Sequence, residues 1–275
     1  MELTDTTYEM LRGQIHRLCG LTLLDDRRYL IRDRLGKLIQ QHALADFEGL
    51  ARQLHEGRDR LLEDAVVESI LTGETSFFRD PHVFAALARD ILPPLIRPGA
   101  APLRILSAGV STGQEAYSLA MLADEQCPRG GHSARGGFSI LATDISARAL
   151  NVAREGRYHR RELLRGLDSG RTLKYFDVEG EFFKVKELIR QPIEFAEANF
   201  TDPLPFRGPF DLISCRNVMI YFDDTLRQAL CRQFHQLLKP GGWLVIGAAE
   251  NLYGLSTKFE SISLAGNVFC YRRKD

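Results

Sequence analysis

The residues whose types and spacing could do chemistry sit at breaks between apolar runs. In LRILSAGVSTGQEAYSL (103–119), Gly109 and Gly113 interrupt an apolar segment before helical spacing resumes at Gln114. Glycines there turn the chain tightly and bring bare backbone close to a ligand, and the amides opening the next helix suit a nucleotide. Two glycines four apart also make a purely structural turn, and the third glycine of a dinucleotide fingerprint is absent. Asp144 ends the next apolar run, FSILATD. A carboxylate is acceptor-only, so beyond the second strand of a nucleotide-binding fold it can receive both ribose hydroxyls; an ordinary helix-entry residue is the plain alternative. Asn199 and Phe200 follow a third run, and Cys215-Arg216-Asn217-Val218-Met219-Ile220-Tyr221 follows a fourth. Arg79, in LTGETSFFRD (71–80), either pairs with Asp80 at the surface or is aimed into a cleft, its backbone held by Phe77 and Phe78.

These positions require an open α/β sheet, in which ligands sit beyond the carboxyl ends of the strands. Strands are predicted at Leu103–Leu106, Phe138–Thr143, Ile193–Ala196 and Phe210–Cys215, with a helix starting at Ser146 and another capped by Asp223 or Asp224. LLKPGGWLVIG (237–247) turns at Pro240-Gly241-Gly242 into a fifth strand, and 259–271 supplies antiparallel strand material. Gly109, Asp144, Asn199 and 215–221 then share one rim. Before the sheet, Thr6–Gly20, Arg27–Gln40 and a segment capped by Asp59 with Leu62, Val66 and Ile70 have helical spacing. The second of these sets Arg27, Arg28, Arg32, Arg34 and Lys37 against Asp25, Asp26 and Asp33, a solvated face or a basic surface for an acidic partner. The organisation expected is a helical domain (1–92), a linker at PPLIRPGAAP (93–102) and an α/β domain (103–275). A flexible loop is expected at 127–137, and an insert of about 157–190 contains a strand at FFKVKEL (182–188).

Composition narrows the function. Lys plus Arg and Asp plus Glu both number 36, and zero net charge gives no broad attraction to nucleic acid or a membrane surface. MELTDTTYEM lacks a basic start with an apolar run, and no later segment has about 18 uninterrupted apolar residues, so a cytoplasmic protein without membrane insertion is expected. Five scattered cysteines without a C-x-x-C pair and seven dispersed histidines predict neither a disulfide framework nor a metal site.

The longer strings are more specific. TGETSFFRD, SAGVSTGQEAYS, ATDIS, CRNVMIYF and LLKPGGWLVIGAAE resemble the CheR-type chemotaxis-receptor methyltransferases, a class I S-adenosylmethionine-dependent family, over essentially the whole chain. The resemblance implies a Rossmann-like methyltransferase domain with an N-terminal helical domain and a small antiparallel β-subdomain inserted after the second strand. It implies S-adenosylmethionine as methyl donor, S-adenosylhomocysteine as product, and glutamate side chains of a chemoreceptor's cytoplasmic helices as acceptors, with a monomeric enzyme. It places Thr75, Arg79, Glu115, Asp144, Asn199, Phe200, Cys215 and Arg216 around the cofactor, together with Gly109 of the loop, and Arg79 and Tyr221 nearest the methyl group. The chain departs from the family at Gly73, where Asn is common, and at Gln114-Glu115-Ala116, where Glu-Glu-Pro is common; altered affinity is expected. The short connection from Tyr175-Phe176 to Lys184-Val185 implies independence of the receptor pentapeptide that some members dock. Two rivals are weighed. A nicotinamide oxidoreductase would want the full glycine fingerprint and no LLKPGG, and only Gly73 favours a non-catalytic receptor-binding module on the same fold.

Overall fold

The computed structural model describes residues 2–23, 28–96, 101–127, 137–264, 266 and 268–275. The basic-face residues Arg27, Asp25 and Asp26, the centre of the expected 93–102 linker and nearly all of the expected 127–137 loop lie outside them. The chain forms two compact units. The first holds residues up to Thr72 with Asn199–Pro203 and Tyr221–Arg227; the second holds Gly73–Ala198, Leu204–Ile220 and Gln228–Asp275.

The first unit is helical. Helix Asp5–Cys19 starts where Thr4 Oγ1 accepts from the Thr7 amide (3.2 Å) and stops at Gly20, whose φ of 73° is left-handed. Asp59 Oδ1 accepts from the Leu62 amide (3.0 Å) and opens Arg60–Ile70, as the spacing predicts. A further helix, Phe47–Glu56, was not predicted, although Asp46 caps it and Phe47, Leu50, Ala51 and Leu54 line its buried face. Residues 28–41 are helical with a π-turn at Ile31–Leu35 that buries Ile31 and Leu35.

The second unit contains strands β1 (Leu103–Ala108), β2 (Phe138–Asp144), β6 (Ile193–Glu197), β7 (Phe210–Cys215), β8 (Leu238–Ile246), β9 (Phe259–Leu264) and β10 (Val268–Arg273). They form one sheet in the order β6-β2-β1-β7-β8-β10-β9. β10 runs antiparallel to both β8 and β9, while the pairs β1–β2, β2–β6, β1–β7 and β7–β8 are parallel. Strand order reverses between β1 and β7, which is where an open α/β sheet leaves a crevice for a ligand. The central strands read as unbroken apolar runs because both faces are covered. Helix Gln114–Gln126, following β1, is correspondingly buried from Ala116 to Asp124. The insert contributes β3 (Arg157–His159), β4 (Phe176–Glu179) and β5 (Phe182–Val185) to a separate antiparallel sheet in the order β3-β5-β4.

The units divide at Thr72/Gly73, not within the expected 93–102 linker. Residues 81–95 stay helical through Pro93 and Pro94, which occupy the opening turn of Leu92–Leu95, where a missing amide costs little. Phe77, Phe84, Leu87, Ile91 and Leu92 belong to the same core as Ile105, Tyr117 and Leu212, so burial assigns this segment to the sheet unit.

Candidate functional site

The carboxyl ends of β1 and β2 are stitched together by backbone. The amides of Gly109 and Val110 both donate to the Thr143 carbonyl (2.7 and 2.9 Å). The Ser111 amide donates to Asp144 Oδ2 (2.7 Å), and Asp144 Oδ1 accepts from the Ser146 amide (3.0 Å). Asp144 therefore braces the glycine loop and the start of helix Ala147–Glu155. Gly109 and Gly113 have φ values of 79° and 97°. A Cβ on Gly109 would lie 2.4 Å from Val218 Cγ2, and one on Gly113 would lie 2.8 Å from Ala153 Cβ, so both positions demand glycine twice over. Beneath the loop, the buried Tyr158 hydroxyl donates to the Thr112 carbonyl (2.6 Å).

Arg79 stands on a strained backbone: its neighbours Phe78 and Asp80 have φ values of 47° and 59°. Its Nη1 donates to the Glu74 carbonyl (3.0 Å). The strain is held by Arg216, whose side chain is 2% exposed. Arg216 Nη2 donates to the Arg79 carbonyl (2.6 Å) and to Asp80 Oδ2 (2.8 Å), while Nη1 pairs with Glu115 Oε2 (3.2 Å). Glu115 Oε1 in turn accepts from Ser107 Oγ on β1 (2.9 Å) and Ser214 Oγ on β7 (2.8 Å). Glu115 and Arg216, both expected at the cofactor, thus have protein partners and tie Arg79 to the two strands flanking the crevice. Cys215 is fully buried, and burial pushes its thiol well above the ordinary range, so it packs as a neutral side chain.

Thr75 lines a cavity of about 210 Å³ with Gly73, Glu74, Ser76, Thr112 and Gln114, and with Glu162 and Arg165 of the insert. The Gly73 carbonyl accepts from Ser111 Oγ (3.2 Å). The loop contact at this departure from the family is therefore made by backbone.

Asn199, Phe200 and Tyr221 belong to the other unit. There Asn199 Nδ2 donates to the Leu18 carbonyl (2.6 Å), Phe200 packs edge-on against Phe222, and the Tyr221 carbonyl accepts from the Thr22 amide (2.8 Å). Sequence reasoning missed one residue of consequence, the buried Glu250, whose carboxylate binds the turn after β7; the conspicuous acid closing LLKPGGWLVIGAAE was the available signal. Among the described residues no cluster of His, Cys, Asp or Glu could hold a metal ion, and no helix is long and apolar enough to cross a membrane.

A seven-stranded sheet with one antiparallel strand, a glycine loop after the first strand and an acid after the second define a Rossmann-like methyltransferase. Residues 73–268 match the CheR methyltransferase, SAM binding domain, and residues 6–71 match the CheR methyltransferase, all-alpha domain. The chain belongs to the CheR methyltransferase family and is an S-adenosylmethionine-dependent methyltransferase. It is 36% identical to "Chemotaxis protein methyltransferase 1" of Pseudomonas aeruginosa over 100% of both chains. It is 38% identical to "Chemotaxis protein methyltransferase" of Vibrio parahaemolyticus, with 94% of each covered. The residues present fit this cofactor. Besides the loop and Asp144, two buried polar atoms on the same edge, Thr143 Oγ1 and Arg216 Nε, have no hydrogen-bond partner among the described residues.

Proposed function

We propose that this chain methylates glutamate side-chain carboxylates on the cytoplasmic helices of a chemoreceptor, acting in the cytoplasm as a monomer. The names of its relatives support the receptor as partner. The observation that carries the chemistry is Arg79, a guanidinium on a strained backbone anchored by a buried ion-pair network at the crevice. A glutamate side chain has an ordinary pKa of about 4.3 and is already a nucleophile at neutral pH, so no general base is needed. Bound S-adenosylmethionine supplies an electrophilic methyl group on a positively charged sulfur. Transfer of that methyl group to a carboxylate oxygen would give the glutamate methyl ester and release S-adenosylhomocysteine as the neutral thioether. The protein contributes alignment and exclusion of water.

In this reading Gly109, Thr75 and Asp144 receive the cofactor, and Arg79 orients either the acceptor carboxylate or the cofactor's own. Glu115, Cys215 and Arg216 support them, while Asn199, Phe200 and the hydrogen-bonding Tyr221 enter through the motif resemblance alone. The two-residue turn at Gly180-Glu181, which joins β4 to β5, supports pentapeptide independence.

The test is transfer of labelled methyl groups to a panel of receptor cytoplasmic domains with and without the C-terminal pentapeptide. Base-labile label of equal yield in both is expected. No label on any receptor would overturn the assignment, and loss of label on removing the pentapeptide would overturn independence. Arg79→Ala abolishes transfer with the fold intact; near-normal methylation by that variant sinks the role given to Arg79.

A further inference from the structure

Glu250 follows β8 and is 8% exposed. Its Oε2 accepts from the amides of Asn217 (2.8 Å) and Gly247 (2.6 Å), and its Oε1 from those of Val218 (3.2 Å) and Ile220 (3.1 Å). One acceptor-only side chain satisfies four backbone donors, three of them in the turn that leaves β7. The turn depends on such an acceptor. Asn217 is left-handed at φ 59°, and without the carboxylate the amides of Asn217, Val218 and Ile220 would lose the acceptor they share. Gly247 makes room for it, since a Cβ there would lie 2.6 Å from Glu250 Oε2 and 2.9 Å from the Asn217 nitrogen. The same turn presents Val218 to the glycine loop, where its Cγ2 occupies the space a Gly109 side chain would need.

We propose that Glu250 is a positioning residue for the cofactor loop. By fixing the backbone of 217–220 it seats Val218 against Gly109, and so sets where the Gly109–Gly113 backbone meets S-adenosylmethionine. Glu250 touches no reacting atom and acts through Val218. The inference rests on the reading that this loop carries the cofactor.

The test is calorimetric titration of S-adenosylhomocysteine, well below the melting temperature, into the full chain and its Glu250→Gln, Glu250→Asp, Val218→Ala, Val218→Ala/Glu250→Gln and Gly109→Val variants. Glutamine leaves one acceptor oxygen for four amides, and a displacement of the loop below an ångström is expected to raise Kd roughly tenfold to a hundredfold. Glu250→Asp keeps the carboxylate and recovers part of the loss. Val218→Ala weakens binding by the same route, so adding Glu250→Gln to it changes Kd little further. A purely structural Glu250 lowers the melting temperature while leaving Kd within a factor of about two. That result, with Gly109→Val having lost binding, overturns the inference. If Glu250→Gln does not fold, parental affinity in Val218→Ala overturns it equally. Parental affinity in Gly109→Val overturns the cofactor-loop reading itself.

Discussion

Replacing Arg216 with methionine tests whether the buried network, and not the strands alone, holds the arginine segment. Methionine fills the space of the side-chain stem, so what is lost is the guanidinium: its pairs with Glu115 (3.2 Å) and Asp80 (2.8 Å), its bond to the Arg79 carbonyl (2.6 Å) and its stacking over Phe84 at 5.2 Å. Glu115, with a side chain 13% exposed, keeps its serine hydroxyls but loses its counter-charge. Breaking a buried pair by removing one partner costs about 3–5 kcal/mol. At roughly 2–4 °C per kcal/mol for a unit of this size, the melting temperature falls by about 6–20 °C. Arg216→Lys keeps the charge without the fork and falls less. Adding Glu115→Gln to Arg216→Met recovers part of the loss, because the orphaned carboxylate is gone. Thermal unfolding followed by circular dichroism, alongside methyl transfer, reads both consequences. A shift of less than about 2 °C, or a double variant as unstable as the sum of the singles, refutes the reasoning.

Other consequences follow from single contacts. Asp223 caps helix Asp224–Leu237 through the Leu226 amide (2.8 Å), and its carboxyl is held below the ordinary value by that bond first and by His16 after it. A carboxyl depressed in the folded state stabilises above its unfolded pKa of 3.8 and loses that contribution as pH falls through the folded value. Asp223→Ala therefore costs about 0.5–2 kcal/mol in neutral urea titrations, and the gap to the parent closes in strong acid. At Gly166 a Cβ would lie 1.7 Å from the Phe77 carbonyl oxygen, so Gly166→Ala forces the segment ahead of Arg79 to move. A loss of about 1–3 kcal/mol is expected, and unchanged thermal unfolding contradicts the close approach. Burial raises the thiols of Cys19 and Cys215 and pushes Cys270 up to about 12; burial and then Asp124 raise Cys127 as well, but it alone of these four is only half-buried and open to reagent. Titration of the native protein with a thiol reagent in mildly alkaline buffer should show fast reaction at Cys127 alone; rapid labelling of Cys215 contradicts its burial.

Much of the framework was legible because it depends on neighbours in sequence. Phe138–Asp144 and Phe210–Cys215 read as strands because parallel strands covered on both faces are continuous apolar runs. Asp59 and Ser146 read as helix starts because a cap is a contact across three residues. The boundary was misplaced because Pro93 and Pro94 are locally forbidding, whereas the fate of Phe77–Leu92 depends on a core assembled from Ile105, Tyr117 and Leu212.

The motifs likewise identified a glycine loop, an acid and a family. They could not say which side chains face the ligand and which brace those that do. Glu115 pairs with Arg216 across 101 residues of chain, and Glu250 reaches Asn217 across 33. Such pairings exist only once β1, β7 and β8 lie side by side, because burial removes water as a competing partner and each charge must then find another charge or an amide. Residue types and short-range spacing were set by the sequence alone; which of those charges pair with one another or with amides was decided by the sheet that brought them together.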